Sequence, residues 1–266
     1  MDIPAAALLV LAGLTAGVLA GVSGIGGGIV LVPVLVYYLH ATGVSSLVST
    51  HVAMGTSLLV VAFISAAQAW EYRTNHVIWR GALCMAPAGV AGAFLGSLIA
   101  SGLEGTTLRR IFGFVLLVAA VRLFSGKRKQ GKETEPDLSL KLLLAVGFLV
   151  GVVSSLSGIG GALIAIPLLS AYLHFPTKKA FGTSSAAITV TALSGAAGYL
   201  FWGWGSEFLP GGMHGFIDAQ AAIPLVAGAV PGAMLGTRFA ARLDTGSLRK
   251  VYAVILLVVM LRMFFL

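Results

Sequence analysis

The sequence predicts an all-α polytopic membrane protein built from two homologous halves, and three observations predict it. Of its 266 residues 58% are hydrophobic and only 10% are Asp, Glu, Lys or Arg, against about 25% charged in an ordinary soluble domain; the mean hydropathy is +0.99. Several apolar runs approach or exceed the roughly 20 residues that carry a helix across about 30 Å of hydrocarbon. Motif blocks of the first half return, in the same order, in the second. A β-barrel is excluded because barrel strands alternate apolar and polar residues, and these runs do not.

The repeat begins with Ser23-Gly24-Ile25-Gly26-Gly27-Gly28, which returns as Ser157-Gly158-Ile159-Gly160-Gly161-Ala162, followed by Pro33 and Pro167, then His40 and His174. Gly55-Thr56-Ser57 returns as Gly182-Thr183-Ser184, and Gly92-Ala93-Phe94-Leu95-Gly96 as Gly232-Ala233-Met234-Leu235-Gly236. Leu108-Arg109-Arg110 through Arg122 matches Leu248-Arg249-Lys250 through Arg262. The repeats are expected at 1–126 and 140–266, joined by a hydrophilic linker at 127–139.

Each half opens with a long apolar segment interrupted by the glycine cluster, near 3–39 and 138–173. Three further spans follow, near 45–69, 77–100 and 108–124, then near 180–202, 219–239 and 248–266. That makes eight to ten helical segments. The first segment lacks the basic start of a signal peptide and has a copy in mid-chain, so it reads as part of the mature protein.

Charge sets orientation through the positive-inside rule. The linker with Lys127, Arg128, Lys129, Lys132 and the nearby Lys141, the stretch with Arg238, Arg242, Arg249 and Lys250, and Lys178-Lys179 are expected in the cytoplasm. Their counterparts are poorer in Lys and Arg, and conversely 203–218 has only acids where its counterpart has Arg73 and Arg80. Counterparts therefore prefer opposite faces, the mark of an inverted repeat. Inversion requires each glycine-interrupted segment to cross an even number of times, as two short spans or a re-entrant hairpin. The alternative is one long tilted helix per segment.

The glycine clusters are the candidate site. Glycine costs a helix about 1 kcal/mol relative to alanine, so four in five residues (Gly24, Gly26, Gly27, Gly28) predict a break. A helix starting after the break presents free N–H groups and a partial positive charge, a ready anion site. Gly158, Gly160 and Gly161 supply the second copy. Ser23, Ser157, Thr56, Ser57, Thr183 and Ser184 are candidate hydroxyls beside the breaks, although such side chains often bond only their own helix. His51 and its counterpart Lys178 are gate candidates on opposite faces. The two G-x-x-x-G pairs, Gly92/Gly96 and Gly232/Gly236, read as packing faces, and Trp70, Trp79, Trp202 and Trp204 as interfacial anchors.

The acids all fall at span ends or in loops, whereas cation-coupled sites usually rely on buried Asp or Glu; an anionic substrate is the better match. No dinucleotide-binding unit, Walker lysine, H-E-x-x-H or Cys/His metal spacing is present, so neither an enzyme nor a cofactor is expected. The lone Cys84 forms no intrachain disulfide. Despite a net charge of +8, no basic face with interleaved aromatics supports nucleic-acid binding. The expected partners are the bilayer and a small anionic substrate, with self-association into a homo-oligomer left open.

Taken together, the two S-G-x-G-G motifs with their following prolines, the G-T-S blocks and the basic linker resemble the TauE/SafE sulfite exporter family, also called the toluene-sulfonate uptake permease family. The likeness covers essentially the whole chain. It implies a bacterial or archaeal cytoplasmic-membrane carrier of sulfite, sulfonates or related organic anions, often acting in export. Ala162 departs from the last motif glycine, which leaves the first copy as the expected close-approach site. A non-transporting scaffold subunit and a passive anion channel are the competing readings.

Overall fold

The computed structural model describes residues 3–24, 26–124, 136–206, 209 and 213–240. The last predicted span, 248–266, and most of the linker lie outside the described residues.

The described chain is helical throughout: α1 (Ile3–Ser23), α2 (Gly28–Ala41), α3 (Ser46–Tyr72), α4 (Trp79–Ser101), α5 (Gly105–Phe124), α6 (Leu140–Ser157), α7 (Ala162–Tyr172), α8 (Thr177–Trp202) and α9 (Ala219–Ala240). Six of these, α1, α3, α4, α6, α8 and α9, are long and apolar enough to cross a membrane. Each glycine-interrupted segment is two helices, not one tilted rod. The reason is local: Gly24 and Gly26 have φ +66° and +99°, and Gly158, Gly160 and Gly161 have +66°, +97° and +74°. That left-handed region is closed to most L-residues and open to glycine.

Cross-contacts establish helix directions. Thr56 meets Asp218 and Glu71 meets Arg238, so α3 and α9 run the same way. Gln68 meets Ser185 and Met54 meets Tyr199, so α3 and α8 run opposite ways. Val90 with Ser194, and Ile78 with Thr183, make α4 parallel to α8. Gly13 lies against Leu225 and Gly21 against Ala233, so α1 follows α9; Gly147 lies against Met85 and Val152 against Gly96, so α6 follows α4. Corresponding helices of the two halves (α1 and α6, α3 and α8, α4 and α9) therefore oppose each other, as an inverted duplication requires. Because α1 and α3 share one direction, the chain must return along α2.

Two seams of small residues hold the halves together. Along α1 and α9, Gly13, Gly17 and Gly21 touch the backbone of Leu225, Ala229 and Ala233, while Gly228, Gly232 and Gly236 touch that of Val10, Leu14 and Val18. The related seam joins α4 to α6 through Gly92 and Gly96 and through Gly147 and Gly151. In lipid the hydrophobic effect does not drive helices together, so backbone-to-backbone packing of this kind supplies the association. The two G-x-x-x-G pairs act as the packing faces their spacing implied; the stripes on α1 and α6 extend them.

Helix α3 is the most enclosed of the long spans and pairs with α8 at the centre, around Met54, Leu58, Ile64 and the fully buried Tyr199. Tyr199 OH donates to Ser155 O at 2.9 Å, satisfying the one polar atom of that side chain. Trp70, Trp79 and Trp204 are more than half exposed, as anchors should be. Trp202 instead packs its ring against Phe94 and Phe201.

Candidate functional site

The two glycine breaks lie against each other. A Cβ on Gly28 would fall 2.4 Å from Gly158 O and 2.5 Å from Ile159 Cα, and one on Gly26 would fall 2.7 Å from Ile159 O. Gly27 faces Ile64 and Gly160 faces Val61, both near the middle of α3. Chain segments from opposite halves thus meet at mid-depth of the central helix. The close approach at Gly28 is to the protein's own backbone, and the second break, with a Cβ at Ala162, is fully enclosed. The first is half-buried around Ser23, Gly24 and Gly26.

Both breaks release a new helix N-terminus. Neither Gly27 before α2 nor Gly161 before α7 makes a side-chain cap, and neither first turn holds an acid. The first bonds into these turns come from Val30 and Leu31 to Gly27 O, and from Ile164 and Ala165 to Gly161 O. The N–H groups of Gly28, Ile29, Ala162 and Leu163 precede these first bonds, as the opening donors of any helix do. Two adjoining helix starts concentrate positive potential. Ser154, which sequence reasoning passed over, adds a fully buried hydroxyl whose Oγ has no partner; its Cβ lies 3.3 Å from the Cβ position of Gly161.

The candidate hydroxyls divide by role. Ser57 Oγ donates to Gly158 O at 2.9 Å and so ties α3 to the second break. Ser184, its counterpart, donates to Phe181 O within its own helix. Ser23 and Ser157 donate back to Leu19 O and Val153 O, both at 2.7 Å. Thr56 Oγ1 accepts from Asp218 N, and Thr183 Oγ1 from Ile78 N, each at 2.9 Å. Each G-T-S threonine thus secures the start of the other half's fourth helix, α9 or α4. Removing either should orphan a backbone N–H at a cost of about 1–2 kcal/mol. Thr56→Val and Thr183→Val are each expected to lower stability by that amount in detergent unfolding, with Thr→Ser near wild type.

The gate candidates are placed far apart. His51 is buried, with Nε2 3.2 Å from Ala100 O and 3.0 Å from Leu103 O. Both neighbours are acceptors, so Nε2 carries the proton and clamps the turn between α4 and α5. Lys178 is exposed at the start of α8. Asp218 is the acid whose setting the sequence hid: it lies in a connection yet is 6% exposed. Its Oδ1 accepts from Ala221 N at 3.1 Å, capping α9 at the level of Thr56. A helix start carried inward by a dipping connection leaves no hydropathy signal. Among the described residues no group of His, Cys, Asp and Glu could hold a metal ion.

The multi-pass helical bundle with paired helix breaks at its centre is that of a membrane protein, and the relatives of this chain make its class a membrane transporter. The chain belongs to the sulfite exporter TauE/SafE family, whose model matches residues 9–263. It is 30% identical over 259 residues to a probable membrane transporter protein of Haemophilus influenzae, covering 97% of each chain. A probable membrane transporter protein of Xylella fastidiosa is 29% identical over 252 residues, 91% of this chain and 88% of the relative. The probable membrane transporter protein YunE of Bacillus subtilis is 25% identical over 270 residues, 95% of this chain and 94% of its own. No solved structure matches the chain.

Proposed function

We propose that the protein is a secondary carrier that exports a small anion (sulfite, a sulfonate or a related organic anion) by alternating access about its two glycine breaks. The observation that carries this reading is the pair of uncapped helix N-termini, α2 and α7, contributed by opposite halves beside the middle of α3. Amide dipoles aimed from both sides suit an oxyanion, and inverted repeats commonly enclose their substrate at such a place.

The helix directions support an orientation. Arg73, Arg80, Lys141, Lys178, Lys179 and Arg238 all fall at one end of the bundle, which the positive-inside rule assigns to the cytoplasm. The end of α8 and the starts of α3 and α5 then lie outside. An anion leaving a negative-inside cell gains about 2.3 kcal/mol per charge at 100 mV, so export needs no nucleotide.

The test is flux from proteoliposomes loaded with sulfite or sulfoacetate. A saturable efflux accelerated by an inside-negative potential is expected. Flux that rises linearly without saturation would make the protein a channel, and none with any small oxyanion would leave it a scaffold.

A further inference from the structure

Two cations break the charge pattern. Arg109 and Arg110 begin α5, at the end of the bundle opposite Arg73, Arg80, Lys178 and Arg238. Arg109 is also only 7% exposed. Its Nε has no hydrogen-bond partner, and among the described residues the one ion pair is Glu71–Arg238. Glu104, the nearest acid in sequence, accepts instead from Thr106 Oγ1 at 3.3 Å.

A second unsatisfied atom lies beside the same stretch of helix. Thr50 is fully buried and its Oγ1 has no partner. That oxygen is 3.3 Å from the Cβ position of Gly105, one turn before Arg109 on α5. Withdrawing part of a guanidinium from water without a counter-charge carries a desolvation cost.

The pair is also duplicated in the sequence. Thr50 corresponds to Thr177, and Glu104-Gly105-Thr106-Thr107-Leu108-Arg109 to Asp244-Thr245-Gly246-Ser247-Leu248-Arg249. Thr177 starts α8 at the opposite end of the bundle; Arg249 lies outside the described residues.

We infer that Arg109, with the Thr50 hydroxyl packed one turn earlier against α5, binds an oxyanion at the outer end of the bundle, separate from the glycine breaks. The guanidinium fork matches sulfonate, sulfite, carboxylate or phosphate oxygens and supplies the charge that a helix terminus lacks. The site's use as a vestibule that concentrates the exported anion rests on the carrier reading; the binding itself does not.

The test is thermal unfolding of wild type, Arg109→Gln, Arg109→Lys and Thr50→Val in nanodiscs, titrated with sulfite, methanesulfonate and phosphate. One set of discs contains only phosphatidylcholine and the other adds phosphatidylglycerol. Without added anion, Arg109→Gln should be at least as stable as wild type, because it removes an uncompensated charge; a merely structural arginine would give the reverse. Wild type should gain stability with a soluble oxyanion, Arg109→Gln should bind it about tenfold more weakly or worse, and Arg109→Lys should recover part of the affinity. A shift seen only with phosphatidylglycerol, and lost in Arg109→Gln, assigns the oxyanion to a lipid headgroup. Equal responses of Arg109→Gln and wild type in both sets overturn the site. A wild type that binds anion through Arg109 yet transports none sinks the carrier reading and leaves this site standing.

Discussion

Replacing Gly28 with alanine is expected to destabilise the protein by about 3 kcal/mol and to abolish anion flux. The sign is the informative part. Gly28 is the first residue of α2, and inside a helix Gly→Ala ordinarily stabilises by up to about 1 kcal/mol. Here the added methyl would sit 2.4 Å from Gly158 O and 2.5 Å from Ile159 Cα. Those are backbone atoms of the other half's break, and backbone cannot rotate away as a flexible side chain does. The breaks must separate, Ser57 loses its bond to Gly158 O, and the facing helix starts no longer converge. The counterpart change, Ala162→Gly, removes a methyl the fold already accommodates and should cost about 1 kcal/mol. Unfolding in mixed micelles and proteoliposome flux on the same preparations check both. A Gly28→Ala protein as stable and active as wild type would show that the breaks do not touch.

The second large effect is expected at the seam between α1 and α9. Gly17→Leu should prevent assembly, with a loss of about 4 kcal/mol or more. Its Cβ would fall 2.2 Å from Ala229 O and 2.8 Å from Ala233 N, so α1 must leave α9 altogether. Nothing else compensates, since two apolar helices gain as much from lipid tails as from each other. Gly43→Ala is the control. Gly43 has φ +81° but nothing within 4 Å of its Cβ position, so only backbone strain of about 1 kcal/mol applies. Size-exclusion profiles in detergent should show Gly17→Leu aggregated and Gly43→Ala monodisperse. Similar behaviour of the two would remove close packing as the reason for the glycine stripes.

Much of this architecture was legible in the chain because membrane folding follows few rules. Backbone groups in lipid must be satisfied within helices, so runs of apolar residues translate directly into spans, and the glycine clusters into breaks. The directions of α3, α8 and α9 follow the asymmetry of lysine and arginine between counterpart loops. What the chain did not reveal was the use of each polar side chain. Thr56 and Thr183 looked like site hydroxyls, and in the fold they secure α9 and α4. His51 looked like a gate and clamps a turn. Asp218 looked like a loop acid and is buried against α3, while Trp202 packs on phenylalanines rather than facing outward.

By itself the sequence determined the helical membrane class, the duplication, the positions of the breaks and the small-residue faces. Each of these depends on local periodicity or on the cost of placing charge and glycine in lipid. Tertiary structure alone decided that the breaks meet, that Gly28 is filled by Gly158 and Ile159, and that Ser154, Thr50 and Arg109 keep unsatisfied polar atoms in the interior. Those outcomes depend on which backbone of the opposite half lies within a few ångströms, a distance that no local pattern in one chain encodes.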